Sequence, residues 1–245
     1  MALLEVRELY KHFGGIQAVK ECSFSVEKGT ITALIGPNGA GKTTTFNLIS
    51  GTIRPDSGSV FLKGHEITRI RPNKVARMGL SRTFQITRAL AEMSVVENMA
   101  IYRHPKSPWD LFKLGVAETD RKRAMELLGF LGMERLANEP AGNLSYGQRK
   151  LMELGAVLMS EPELIMLDEP AGGVNPALLE TIVDRIQALN REGITFLIVE
   201  HNMELVMSIS DPVVVMAFGE VIARGAPSEV QKDPKVLDAY LGGAA

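Results

Sequence analysis

The sequence predicts an α/β fold in which a parallel sheet carries helices on its faces and is interrupted by a helical insert. In the last third of the chain, short apolar runs alternate with segments of helical period, the pattern of strands joined by helices. Between about residues 89 and 136, the apolar residues repeat with the period of a helix alone. Strand-like runs precede this segment, so the helices are expected as an insert.

The first 70 residues are predicted to form mainly strands. Four runs are rich in β-forming residues or alternate in polarity, at 3–9, 22–26, 31–35 and 59–62. Gly and Pro-Asp-Ser-Gly signals separate them. We expect a turn from Arg54 to Gly58, because Pro55 presets φ and Gly58 can adopt a positive φ.

The middle of the chain is predicted to be helical. Its clearest amphipathic segment places apolar residues at i, i+3, i+4 and i+7, namely Ala124, Leu127, Leu128 and Leu131. Two prolines within residues 104–108 predict a loop that divides the helical region.

The last third contains two runs typical of buried strands, at 164–167 and 194–199. A helix between them should begin with Asn175 as N-cap and Pro176 in its first turn, and should end at Gly193. The remaining predicted elements are a hairpin at 213–217 with 221–223 and a short helix at 234–241.

Composition excludes several classes of protein. The 245 residues have an ordinary globular composition, with 45% hydrophobic and 23% charged side chains. One cysteine, Cys22, excludes a disulfide framework and fits a reducing compartment. The formal charge of −2 argues against a chain that coats nucleic acid. No apolar run approaches the roughly 20 residues of a membrane span, and early charges argue against a signal peptide.

A phosphate-binding loop is predicted at residues 36–44, GPNGAGKTT, which match G-x-x-x-x-G-K-[ST] between a strand and a helix at 42–50. Glycines let backbone N–H groups face an anion, and the helix N-terminus adds partial positive charge. Lys42 would reach the β- and γ-phosphates, and the Thr43 hydroxyl suits Mg²⁺. The expected nucleotide-binding residues are Gly36, Asn38, Gly39, Ala40, Gly41, Lys42, Thr43 and Thr44.

Two carboxylates follow the apolar strand at 164–167. Ligands of open α/β sheets bind at the carboxyl ends of strands, so Asp168 is expected near the Mg²⁺ held by Thr43. Glu169 could accept a proton from the water that attacks the γ-phosphate, or orient that water. A solvated strand end before Pro170 is the alternative, and the phosphate loop disfavours it.

Residues 144–148, LSYGQ, lie between these motifs and resemble the LSGGQ signature of the ATP-binding subunits of ABC transporters. Phe13, Gln85 and His201 stand, in the family's order, at the places of its A-loop aromatic, Q-loop glutamine and H-loop histidine. Further runs are similar to the LivG-type subunits of importers of branched-chain and other hydrophobic amino acids, at 81–85, 169–175, 200–201, 233–236 and 239–241.

The resemblance covers essentially the whole chain and implies a P-loop NTPase fold. It implies one ABC ATPase domain over residues 1–245, with a RecA-like core and an antiparallel β subdomain. The core and β subdomain would comprise residues 1–86 and 158–245. The inserted α-helical subdomain, which carries the signature, would comprise residues 87–157.

The resemblance also implies roles for single residues. Phe13 would stack on adenine, although a core or hairpin phenylalanine is the alternative. Gln85 would serve catalysis and the Mg²⁺ site and relay movement to membrane subunits, unless it is a solvated loop residue. His201 would contact the γ-phosphate and act with Lys42 and the base Glu169 in catalysis. Glu200 is left out of the catalytic set, because a polar strand terminus would explain it.

The signature residues Ser145, Gly147 and Gln148 precede a helix and would bind, in trans, the ATP held by a second subunit. Two departures from the family pattern bear on this closure. Tyr146 replaces the first glycine of the signature, and Asn175 stands where an aspartate is usual. Neither removes a metal ligand, the base or the lysine.

The implied cofactors are ATP and Mg²⁺. The implied partners are an identical or paralogous ATPase subunit, two integral membrane permease subunits and, indirectly, a solute-binding protein, with no nucleic acid. The chain would lie peripherally at the cytoplasmic face of the inner membrane. Three alternatives are disfavoured: a soluble ABC ATPase of translation or repair, a GTPase or small-molecule kinase, and a binding module without turnover.

Overall fold

The computed structural model describes residues 1–83, 89–103 and 115–241, whose strands form two sheets. The strands are β1 Ala2–Phe13, β2 Ile16–Glu27, β3 Ile31–Ile35, β4 Ser57–Leu62, β5 His65–Glu66, β6 Leu80–Arg82, β7 Leu164–Asp168, β8 Thr195–Val199, β9 Val213–Ala217 and β10 Glu220–Gly225. The helices are α1 Lys42–Ile49, α2 Pro72–Arg77, α3 Val95–Ala100, α4 Glu118–Leu131, α5 Tyr146–Leu158, α6 Pro176–Arg191, α7 Met203–Ile209, α8 Pro227–Val230 and α9 Pro234–Leu241.

The larger sheet confirms the predicted α/β class. Its strand order is β10-β9-β3-β8-β7-β6, and the strands from β9 to β6 are parallel. Every residue of β3, β7 and β8 is buried, as expected for strands covered on both faces. The predicted hairpin is also present, because β9 and β10 pair antiparallel.

The smaller sheet is antiparallel, in the order β2-β1-β4-β5, and contains three of the four early strands predicted from the sequence. The turn expected up to Gly58 is wrong at its end, because β4 already begins at Ser57. Gly58 has a φ of 89°, and a Cβ there would lie 2.2 Å from the Glu8 carbonyl oxygen. This glycine therefore permits close contact between β1 and β4 within the sheet.

The helices α3, α4 and α5 lie in sequence between β6 and β7. The predicted apolar stripe of α4 is buried at all of its positions, Ala124, Leu127, Leu128 and Leu131. It packs in one core cluster with Met99 of α3 and Leu154 of α5. The loop predicted at 104–108 lies outside the described residues.

The helix α6 begins as predicted, because the Asn175 side chain accepts a hydrogen bond from the Leu178 N–H at 2.9 Å. Gly193, with a φ of 99°, follows its end, and α9 has the predicted bounds. The sequence analysis did not predict β5, β6, α2, α7 or α8, which are too short to show a clear period. Within the described ranges, no helix is both long enough and apolar enough to cross a membrane.

Candidate nucleotide-binding site

Three buried strands bring the predicted site residues to one edge of the larger sheet. Leu34 of β3 pairs with Val199 of β8, and Val199 pairs in turn with Asp168 of β7. Because these strands are parallel, their carboxyl ends lie at the same edge. The phosphate loop, the carboxylates of Asp168 and Glu169, and the loop after β8 that contains His201 (the histidine loop) all lie at this edge.

The phosphate loop depends on glycine at specific positions. Gly36, Gly39 and Gly41 have φ values of 151°, 79° and 98°. A Cβ on Gly36 would lie 2.0 Å from the Met216 carbonyl oxygen, and one on Gly41 would lie 2.4 Å from the Ala18 carbonyl oxygen. The loop is therefore pressed against β9 and β2 in a conformation that only glycine tolerates there.

The helix α1 starts directly after this loop with no side-chain cap. Its N-cap is Gly41, which has no side-chain oxygen to satisfy the first N–H groups. Thr43 is exposed in the first turn, and Thr44 is half-buried. Uncapped N–H groups and the helix dipole together suit a bound phosphate.

Lys42 places its ammonium group at the loop. Its Nζ donates hydrogen bonds to the carbonyl oxygens of Gly36 at 2.7 Å and Pro37 at 2.9 Å. Burial lowers the pKa of Lys42, while the nearby carboxylates of Glu169 and Asp168 oppose this shift. The lysine therefore lies in the field of both predicted catalytic and metal-binding carboxylates.

Asp168 is buried and paired with an arginine to which the sequence analysis gave no role. Arg82 Nη2 lies 2.8 Å from Asp168 Oδ2, and these side chains are 8% and 2% exposed. Arg82 also donates to Asn47 Oδ1 at 2.7 Å and to Ser50 Oγ at 3.2 Å. This arginine therefore ties the end of β7 to α1 and β6.

Glu169 has an unusual backbone conformation for a residue other than glycine, with a φ of 50°. The left-handed region costs about 1 kcal/mol at such a residue. Its N–H donates to the Val199 carbonyl at 2.9 Å, and its carbonyl accepts from the Gly172 N–H at 3.1 Å and from Lys150 Nζ. These contacts fix the direction in which the Glu169 side chain leaves the strand end.

The histidine loop follows β8. His201 has a side chain that is 65% exposed, and its Nδ1 lies 3.8 Å from Glu169 Oε1. Its backbone N–H donates to Glu200 Oε2 at 2.9 Å. The structure therefore places His201 beside the predicted base, with its ring open to solvent.

The signature residues form the N-terminus of α5. Ser145 and Gln148 make a reciprocal capping box, in which each side chain accepts the other residue's N–H. A Cβ on Gly147 would lie 1.8 Å from a Leu178 side-chain carbon, so glycine allows α5 to pack on α6. The side chain of Tyr146 is 40% exposed, and the aromatic ring lies at the backbone of Gly173.

Phe13 ends β1 and is 49% exposed, which excludes a core phenylalanine but leaves the alternative of a hairpin phenylalanine open. Lys11 Nζ lies 5.5 Å from its ring centroid and also 2.8 Å from Asp56 Oδ1. The bonds from Lys11 and from the His12 N–H lower the pKa of Asp56 to about 2. An exposed ring at a hairpin end is available for stacking.

The predicted site residues fall into two groups. Contacts and electrostatic interactions join Lys42, Asp168, Glu169 and His201 in one cluster. Phe13 and the signature residues Ser145 and Gln148 have other partners, because Lys11 lies at the Phe13 ring and Ser145 and Gln148 cap each other. Gln85 lies outside the described residues, so its catalytic and metal-binding roles stay predictions.

The residues around this edge suit Mg²⁺ bound together with phosphate. Among the described residues, no group of three or more His, Cys, Asp or Glu could hold a metal ion without other ligands. Mg²⁺ keeps several waters and takes phosphate oxygens as ligands. The Thr43 hydroxyl in the first turn of α1 and the Asp168 carboxylate at the end of β7 are hard oxygen ligands of the kind that Mg²⁺ takes.

Three charged residues that support the site were given no role from the sequence. Arg82 pairs with Asp168 at the end of β7, whereas Lys150 and Glu200 bond to backbone groups at the start of the loop that follows β7. One signal was available for two of them, because Arg82 and Glu200 stand at or just after the carboxyl ends of sheet strands. Nothing in the sequence indicated that Lys150 would reach the Glu169 carbonyl.

Comparison with known protein families gives two matches. Residues 19–172 match the family described as ABC transporter. Residues 220–245 match the family described as branched-chain amino acid ATP-binding cassette transporter.

Individual relatives match over nearly the whole chain. A probable branched-chain amino acid transport ATP-binding protein LivG of Archaeoglobus fulgidus is 39% identical, and the alignment covers 99% of this chain and 96% of the relative. The high-affinity branched-chain amino acid transport ATP-binding protein BraF of Pseudomonas aeruginosa is 40% identical, with 99% and 98% covered. A solved ATP-binding cassette of an ABC transporter in its ADP conformation superposes with a TM-score of 0.89 at 38% identity, covering 99% of both chains.

Removal of the Arg82 guanidinium should destabilise the folded protein. Arg82→Met leaves the buried Asp168 carboxylate without its ion-pair partner, which typically costs about 3–5 kcal/mol. The free energy of unfolding, measured by urea denaturation without nucleotide, should fall by that order. The matched control is Arg123→Met, because Arg123 pairs with Glu126 at the surface, where such pairs contribute about 1 kcal/mol or less. Equal losses in the two variants would contradict the assigned importance of the Arg82–Asp168 pair.

Proposed function

Because the chain belongs to the ABC transporter family, we propose that it binds and hydrolyses ATP to energise an importer of branched-chain or related hydrophobic amino acids. ATP hydrolysis coupled to transport is the activity of this family's ATP-binding subunits. The observation that carries the proposal is the cluster at the carboxyl edge of the larger sheet. There, a glycine-dependent phosphate loop and Lys42 lie in the field of Asp168 and Glu169.

The phosphates would bind at the N-terminus of α1. The uncapped N–H groups of α1 and the loop would face the phosphate oxygens, and the Lys42 ammonium would exchange its carbonyl partners for the β- and γ-phosphates. Thr43 and Asp168 would hold Mg²⁺, which supplies positive charge against the transferring phosphoryl group. Phe13, exposed at its hairpin end, would stack on adenine.

Hydrolysis needs a water molecule aligned with the γ-phosphate. The Glu169 carboxylate would orient this water and accept its proton. Contacts to its backbone N–H and carbonyl would keep the carboxylate in a fixed position for this step. His201, 3.8 Å from the Glu169 carboxylate, would contact the γ-phosphate and keep the water in line. Lys42 would stabilise the charge that develops on the phosphoryl oxygens.

Closure between two subunits would complete the site. The capped N-terminus of α5, with Ser145, Gly147 and Gln148, would meet the γ-phosphate of ATP on an identical or paralogous partner. The helical segment 87–157 would present this signature, and Gln85 would serve the Mg²⁺ site and relay closure to the membrane subunits.

The proposed assembly includes two integral membrane permease subunits and, indirectly, a solute-binding protein, with this chain at the cytoplasmic face of the inner membrane. The solute class is supported by the names of the relatives in A. fulgidus and P. aeruginosa and by the family match at residues 220–245.

Glu169→Gln tests the proposed base. The amide keeps the shape of the carboxylate but cannot accept the water proton, so we expect ATP turnover to fall by about a hundredfold or more. ATP affinity should remain, and ATP should stabilise a dimer detectable by size-exclusion chromatography with light scattering. Glu163→Gln is the matched control, because Glu163 is a partly exposed carboxylate at the opposite end of β7. Turnover of Glu169→Gln at the rate of this control would show that Glu169 is not the base.

Uptake by the whole transporter tests the solute class. In proteoliposomes that contain the chain with its membrane and solute-binding partners, radiolabelled leucine, isoleucine or valine should accumulate only with ATP. The same assembly carrying Glu169→Gln should not accumulate them, because hydrolysis resets the cycle. If the assembly hydrolyses ATP but transports none of the three, the transporter does not import branched-chain amino acids, and that part of the proposed solute class is wrong.

A further inference from the structure

Glu200 is a fully buried carboxylate at the end of β8, and it accepts three backbone hydrogen bonds. Its side chain has no solvent exposure. Its Oε1 accepts the Ala171 N–H at 2.6 Å, and its Oε2 accepts the N–H groups of His201 at 2.9 Å and Asn202 at 3.1 Å. A buried carboxylate is costly unless such bonds satisfy it.

These three donors belong to two different loops. Ala171 lies two residues after Glu169, in the loop that leaves β7, whereas His201 and Asn202 lie in the loop that leaves β8. One carboxylate therefore fixes both loops relative to each other. The proposed base and the proposed γ-phosphate contact depend on the positions of these loops.

Lys150 of α5 approaches the same place. Its Nζ donates to the Glu169 carbonyl, and the charge of Glu200 is the strongest interaction opposing the burial that lowers the pKa of Lys150. The Glu200 charge thus faces a cation that also holds the loop of Glu169. The three backbone donors give the carboxylate a defined position without access to solvent.

We propose that Glu200 is a positioning residue for ATP hydrolysis, which holds the loop of Glu169 and the loop of His201 in the arrangement that aligns the attacking water. This inference rests on the proposed roles of Glu169 and His201. Glu200 itself does not touch the substrate, because it is buried behind the two loops while the His201 ring is exposed.

The variant Glu200→Gln tests this inference in the full-length protein. The glutamine has the same shape, but its NH₂ group is a donor and cannot accept a backbone N–H, so one of the two loops loses its anchor. Misplacement of catalytic groups by about 1 Å can cost a hundredfold in rate, so we expect kcat for ATP to fall between tenfold and about a hundredfold. The KM and the Kd for ATP should stay within about twofold, because the phosphate loop is unchanged.

Thr195→Val is the matched control. Thr195 is fully buried at the other end of the same strand, and its Oγ1 accepts the Gly29 N–H at 2.9 Å. Loss of this hydrogen bond should lower the midpoint temperature of thermal unfolding, as the loss of a buried hydrogen bond generally does. It should leave kcat per folded molecule unchanged. If Glu200→Gln lowers only the thermal midpoint and keeps kcat per folded molecule, Glu200 is merely structural and the inference is overturned.

A double-mutant cycle separates this inference from the proposed function. If Glu200 acts through His201, Glu200→Gln should reduce kcat less in a His201→Ala background than in the wild type. If the two variants lower kcat independently of each other, Glu200 does not act through His201, and that part of the inference is overturned. A fully active Glu169→Gln would refute the proposed base instead, whatever Glu200→Gln does.

Should Glu200→Gln not fold, Glu200→Asp, which keeps the charge but is shorter, is expected to show the same loss of kcat.

Discussion

The complete burial of three parallel strands is the constraint on which the rest of the structure depends. Because β3, β7 and β8 are mostly apolar and buried along their whole length, the polar segments that follow them can reach solvent only at the strand ends. Their parallel pairing puts those ends at one edge. A phosphate loop, a carboxylate pair and a histidine that are far apart in sequence thereby become neighbours.

At this edge, several charged side chains are positioned by hydrogen bonds to backbone atoms. The ammonium groups of Lys42 and Lys150 bond to carbonyl oxygens of the loops, and the Glu200 carboxylate bonds to N–H groups. Because of these bonds, the conformation of each loop and the position of the charged group bonded to it depend on each other. A nucleotide that draws Lys42 from its carbonyl partners would therefore act directly on the conformation of the phosphate loop.

Much of this fold and site could be predicted from the sequence, and the exceptions have physical reasons. The strands β3 and β7 and the helix α6 were predicted because continuous apolar runs, an Asn-Pro start and a glycine stop are local signals. The strand β6 was not predicted, since a three-residue edge strand exists only through its pairing with β7. The positions of Arg82 and Glu200 at strand ends are visible in the sequence, but the pairing of Arg82 with Asp168 and the bond from the Ala171 N–H to Glu200 are tertiary contacts that no local pattern predicts.

The central claim is that the nucleotide phosphates bind at the carboxyl edge of these strands, on the loop that precedes α1. Amide hydrogen exchange of the wild-type protein with and without Mg²⁺ and ADP tests it most directly. We expect slower exchange in peptides that cover residues 36–44, where the uncapped N–H groups of α1 and its loop would become bonded to phosphate. Saturating nucleotide that protects other segments but leaves exchange of residues 36–44 unchanged would contradict it.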